Sequence, residues 1–157
     1  MLFRSLSQSS YINSILTRFN FTDLKPFATP MDPSIRFSKD QCPQTPEEVA
    51  DMCKVLYREA IGSLNYCAVA TQPDIAFPVS LLAQFMENPG RIHWEAVKRV
   101  FRYLLGTKHW KLTYGTTDNG LEGLTDADGS SQEHRHASVN LGSADRHWTA
   151  PDSAIEP

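Results

Sequence analysis

Apolar residues recur at helical spacing in four stretches of this chain. Leu6, Ile12, Ile15, Leu16 and Phe19 predict a helix over about residues 8–19, with the Ser7 hydroxyl placed to accept a free backbone N–H at its start. The clearest period follows later, where Ala60, Ile61, Leu64, Cys67, Ala68 and Thr71 share one face of a helix spanning about 56–70. Gln72-Pro73 ends it. Pro73 or Asp74 then opens a helix with Ile75, Val79, Leu82, Phe85 and Met86 on one side, closed by Asn88-Pro89-Gly90. A further helix over about 93–105 aligns Trp94, Val97, Phe101 and Leu104, and these last three helices are expected to pack together.

Other stretches lack that period. Pro26, Pro30, Pro33, Pro43 and Pro46 remove backbone donors and fix φ, which predicts an extended connector with order returning near Glu47. After Gly106 the pattern turns to short alternation, Leu112-Thr113-Tyr114, a turn at Thr117-Asp118-Asn119-Gly120, then 121–126. The Asn-Gly pair favours a tight hairpin. Beyond Gly129 no period survives, and residues 136–157 are expected to hold little fixed structure. The expected fold is therefore α+β and mainly α: three to four helices, a two-stranded ribbon, an extended Pro-rich linker and a disordered tail.

Composition adds limits. A chain of 157 residues with 41% hydrophobic content can bury one core. Cys42, Cys53 and Cys67 are odd in number and lack CxxC spacing, which fits a reducing, intracellular setting in cytoplasm or nucleus. No stretch approaches the roughly 20 apolar residues of a membrane span, and the first ten residues do not read as a secretory signal. The net charge of −3 conceals an asymmetry: residues 91–111 hold six basic side chains against Glu95 alone, and 112–157 hold eight acids against Arg135 and Arg146. Such a block suits a polyanion-facing surface.

Two constellations could carry chemistry. Thr125-Asp126-Ala127-Asp128 closes a strand, and carboxylates at strand ends can bind Mg²⁺, although alternation directs only one of the two aspartates to a given ion. Taken alone, Asp126 reads as a solvated turn acid. Lys98, Arg99 and Arg102 cluster on the polar face of the 93–105 helix, placed to neutralise phosphates or simply to face water. His134 and His136 are spaced like metal ligands beside Glu133, but a hydrophilic loop explains them as well. Known nucleotide-loop, nucleophile-elbow and zinc-helix motifs are absent from the sequence.

The residues themselves carry a resemblance. Leu56-Tyr57-Arg58-Glu59-Ala60-Ile61-Gly62-Ser63-Leu64-Asn65-Tyr66, then Ala70-Thr71-Gln72-Pro73-Asp74-Ile75-Ala76-Phe77, closely resemble a signature of copia-type LTR-retrotransposon Pol polyproteins. His93-Trp94-Glu95-Ala96-Val97-Lys98-Arg99, leading to Arg102-Tyr103-Leu104 and Gly106-Thr107, looks like the same family's next helix, and Leu124-Thr125-Asp126-Ala127-Asp128 resembles the opening strand of its ribonuclease H domain. Leu6-Ser7-Gln8, Tyr11-Ile12, Ile15-Leu16, Phe19 and Thr29-Pro30-Met31 are similar to the end of its reverse transcriptase and the exit linker.

The resemblance covers about residues 5–137 and implies a division: 1–20 the edge of reverse transcriptase, 21–55 a Pro-rich linker, 56–110 a helical connection region, 111–137 the start of a ribonuclease H-like domain, and 138–157 an unrelated or disordered tail. It also implies that the polymerase aspartates would lie upstream and the later ribonuclease H acids downstream, leaving Asp126 as an isolated inherited metal ligand. The expectation is a truncated Pol fragment without catalysis of its own and without a cofactor, Mg²⁺ belonging to the intact parent. Its partners would be RNA–DNA hybrid, met by Lys98, Arg99 and Arg102, or intact Pol, with no membrane and no small-molecule substrate. The alternative is a small nucleic-acid-binding or Pol-interfering protein.

Overall fold

The computed structural model describes residues 4–116 and 144–149, which fall into two compact units. Residues 7–110 form a helical unit. Its first helix, α1 (Ser9–Arg18), buries Ile12, Ile15 and Leu16 as the period predicts. The cap position falls on Gln8, while the Ser7 hydroxyl accepts the Ser9 N–H at 3.4 Å. At the other end Asn20 adopts φ 61°, the left-handed conformation that a short polar side chain tolerates. The Phe21 N–H then returns to the Leu16 carbonyl (2.8 Å) and the Asn20 N–H to that of Thr17 (3.1 Å), a Schellman closure that reverses the chain. Phe21 lands buried on Phe101, ring centroids 5.0 Å apart and nearly parallel, beside Phe19 at the same separation.

The proline-rich stretch is not a purely extended linker. A 3-10 turn at Lys39–Gln41 precedes α2 (Pro46–Cys53). Thr45 and Glu48 form a reciprocal capping box, each side chain accepting the other's N–H at 3.3 Å, and Pro46 occupies the first helical position, where its missing donor is harmless. The proline that argued against a helix here begins one.

α3 (Tyr57–Ala70), a 3-10 turn at Pro73–Ile75, α4 (Ala76–Ala83) and α5 (Arg91–Thr107) make the core. All six residues expected on the inner face of α3 are buried, as are Ile75, Val79, Leu82 and Phe85, and Val97, Phe101 and Leu104 of α5. Tyr57 of α3 donates its hydroxyl to the Leu82 carbonyl at 2.9 Å, and burial raises its pKa. Met86 departs from expectation at 36% exposure. The backbone after Ala83 tightens into i→i−3 bonds at Gln84, Phe85 and Met86, and that change of period turns Met86 outward.

The second unit contains a three-stranded antiparallel sheet, ordered β1 (Arg4–Leu6), β2 (Lys111–Thr116), β3 (Ala144–Thr149). Leu6 faces Leu112 in one ladder, and Leu112 faces Trp148 in the other. β2 is the first strand of the expected ribbon, and β1 and β3 flank it on its two edges from Leu112 to Tyr114. The expected turn at Thr117–Gly120 and return strand at 121–126 lie outside the described residues. The tail also holds a strand where little structure was expected. Residues 144–149 contain neither Gly nor Pro, and pairing with β2 supplies the order that their own pattern does not encode.

Candidate functional site

α5 organises the only cluster of expected site residues within the described part of the chain. Its apolar stripe turns Ala96, Val97, Val100, Phe101, Tyr103 and Leu104 inward, so Glu95, Lys98, Arg99 and Arg102 occupy the other face. After the reversal at Asn20, residues 22–37 run back over that face as a strap. The Phe27 N–H donates to the Arg102 carbonyl at 3.3 Å, tying strap to helix through the backbone.

All three expected cations have intramolecular partners. Arg102 donates from Nε to the Lys25 carbonyl at 2.7 Å, and its guanidinium lies 3.8 Å from the Phe27 ring centroid. Arg99 lies 4.6 Å from the same ring, donates to Thr29 Oγ1 at 2.9 Å and to the Thr29 carbonyl at 3.4 Å, and faces Asp32 at 3.5 Å. Hydrogen bonds from the Ser34 hydroxyl and N–H, with Arg99 adding attraction, hold the Asp32 carboxyl below its usual range. Lys98 pairs with Glu95 at 2.6 Å. Phe27 is thus an aromatic plate under two guanidiniums, a geometry available to planar arginine and poorly matched by lysine.

Between strap and helix runs a groove of about 470 Å³. Leu24, Phe27, Met31, Ile35 and Phe37 line it from the strap, and Ile92, Ala96 and the three cations from α5. It offers an apolar floor with a charged margin. The sequence located the cations; it did not reveal that the proline-rich segment supplies their partners. Phe27, set between Pro26 and Thr29-Pro30, was the available signal.

A second polar cluster, unforeseen from the pattern, lies between α1, the α3–α4 turn and α5. Thr71 donates to Gln8 at 2.7 Å, and Gln72, fully buried, reaches the Thr107 carbonyl at 3.5 Å. Asp74 faces the Tyr103 hydroxyl with both carboxylate oxygens enclosed and lacking a well-formed hydrogen bond. Burial raises the Asp74 pKa, outweighing Tyr103 and the N–H groups of Asp74 and Ile75; Tyr103 is raised too, by burial first and then by the carboxylate.

Asp126, His134 and His136 lie outside the described residues. Among the described residues no group of three or more His, Cys, Asp or Glu side chains is arranged to hold a metal ion, so no chemical step is assigned to Mg²⁺ here.

The sequence is 50% identical over 123 residues to the retrovirus-related Pol polyprotein from transposon TNT 1-94 of Nicotiana tabacum, an alignment covering 78% of this chain. It is 38% identical over 137 residues to the Pol polyprotein from transposon RE1 of Arabidopsis thaliana, and 35% identical over 136 residues to that from RE2, each covering 86% of this chain. The chain is homologous to part of retrotransposon Pol polyproteins. It spans about 9% of the length of these Pol relatives. No family model matches the chain, and no solved structure does. The Pol homology covers most of the chain and so extends well beyond the α3 signature. Among the described residues no helix is long and apolar enough to cross a membrane.

Proposed function

We propose that this chain represents the segment joining reverse transcriptase to ribonuclease H in a copia-type Pol polyprotein, and that its helical unit is a non-catalytic scaffold. The observation that carries the scaffold reading is the use of Arg99 and Arg102: their best-oriented donors and their aromatic support are spent on residues 25–32 of the same chain. A face built to hold phosphates would keep those donors toward solvent. The parent reaction would be reverse transcription with hydrolysis of the RNA strand of a hybrid, assisted by Mg²⁺, with Asp126 an inherited ligand acting only alongside acids this unit does not bring together. The setting is intracellular, which the free state of Cys42, Cys53 and Cys67 supports.

The rival is direct binding of RNA–DNA hybrid, or of intact Pol, by Lys98, Arg99 and Arg102. Fluorescence anisotropy of the full chain with a short hybrid, across a salt series, separates the readings. Replacing Lys98 is the cleanest probe, because it loses only an exposed pair with Glu95 and leaves the strap fastened. The scaffold reading expects weak binding that Lys98→Glu leaves unchanged. Tight, salt-sensitive binding lost in Lys98→Glu would overturn it, and Mg²⁺-dependent hybrid cleavage abolished by Asp126→Asn would overturn the non-catalytic assignment.

A further inference from the structure

His93, in the first turn of α5, is fully enclosed at 0% exposure. Its imidazole stacks on Phe85, centroids 3.9 Å apart and planes 16° from parallel, while Phe37 of the strap flanks both rings, 5.6 Å from His93 and 6.3 Å from Phe85. Nδ1 accepts the Gly90 N–H at 2.9 Å. The ring is therefore neutral with its proton on Nε2, and Nε2 is buried without a partner. Gly90 in turn presses against the continuation of the strap through residue 43: a Cβ there would stand 2.0 Å from the Gln41 carbonyl oxygen. Two residues earlier, Asn88 donates to the Pro43 carbonyl at 3.3 Å. The turn before α5 and the imidazole together hold residues 37–43.

We propose that His93 is a proton-operated latch on residues 37–43, its neutral Nδ1 fixing Gly90 against the strap and its protonated form releasing both, so that acid uncovers Phe37 and Phe85. The proton adds to the Nδ1 lone pair. That atom then carries N–H where it must face another N–H, and a cation forms in the first turn of α5, where the free amides already present partial positive charge. Among the described residues no ion pair or hydrogen bond to a charged side chain offsets this. Phe37 and Phe85 are the aromatic rings against the imidazole; Arg36, Lys39 and Asp40 on one side, Glu87 of the turn, and Arg91 and Glu95 of α5 are exposed. Burial lowers the imidazole pKa from its usual 6.5.

A depressed folded pKa means the latch is fully closed above about pH 6.5 and is lost as pH falls, because the open state takes up the proton first. Hydrogen exchange of the full chain, corrected for intrinsic rates, reads this directly. Protection of peptides covering 37–43 should fall by up to about tenfold per pH unit below 6.5, while α3 peptides hold theirs. In His93→Gln the carboxamide oxygen can still accept from Gly90 and does not titrate, so the dependence should flatten. The same acid loss in His93→Gln, or an unchanged wild type down to pH 5, would overturn the latch. Should that variant fail to fold, NMR titration of the wild-type imidazole decides: a His93 pKa at or above 6.5 refutes the proposal, and a lower one coinciding with loss of the Gly90 protection supports it.

Discussion

Phe27→Ala tests the strap most directly, because it removes the surface shared by Arg99 and Arg102 without altering any charge. The ring is half-buried, so its lost burial is worth about 1 kcal/mol, half the value of a fully enclosed side chain. Two partly exposed cation–π contacts, at 3.8 and 4.6 Å, add about 0.5–1 kcal/mol each. The expected loss is about 2–3 kcal/mol. For a helical unit of roughly 100 residues that lowers the melting temperature by on the order of 10 °C. Phe27→Leu, keeping apolar bulk but no π face, should recover about half. Urea titration followed by far-ultraviolet circular dichroism reports the helices, and an unchanged slope confirms a like-for-like comparison. If Phe27→Ala moves the midpoint by the equivalent of less than about 0.5 kcal/mol, the guanidinium contacts are incidental and the scaffold argument fails. Full recovery in Phe27→Leu would remove the cation–π contribution alone.

Two further substitutions probe other parts of the unit. Asp74→Asn should raise thermal stability more at pH 8 than at pH 4.5: the raised folded pKa means the buried carboxylate destabilises the fold while ionised, and that penalty shrinks as acid protonates it, vanishing only below the ordinary value of 3.8. Equal gains at both pH values would refute that cause. Thr45→Ala should lower stability by about 1 kcal/mol and increase proteolytic cleavage within α2, since it removes the side chain that caps the Glu48 N–H; an unchanged cleavage rate would show that packing alone maintains this helix.

Much of the helical core was legible because its signal is local. Ala60, Ile61, Leu64 and Cys67 are buried because α3 has one neighbour-facing side, and a 3.6-residue period encodes that directly. The strap was less legible, since Phe27 and Thr29 find their partners some seventy residues later on α5, a distance no window of sequence reports. α2 was readable in principle from Thr45-Pro46-Glu47-Glu48, and the surrounding prolines masked it. β3 could not have been read from its own pattern, because its order comes from the ladder with β2. For the cations, periodicity says which face Arg99 and Arg102 occupy, not which residues of the strap meet them there.

The pairing of Leu6 with Leu112 holds the two points where the helical unit leaves the sheet one ladder spacing apart, about 5 Å. Topologically the helices are an insertion between two adjacent strands of a ribbon, entered and left through neighbouring doors. Lengthening or shortening such an insertion changes closure entropy by only about 0.6 kcal/mol per doubling. The helical unit can therefore vary in size, or be swapped for a short turn, while the β1–β2 ladder keeps its register.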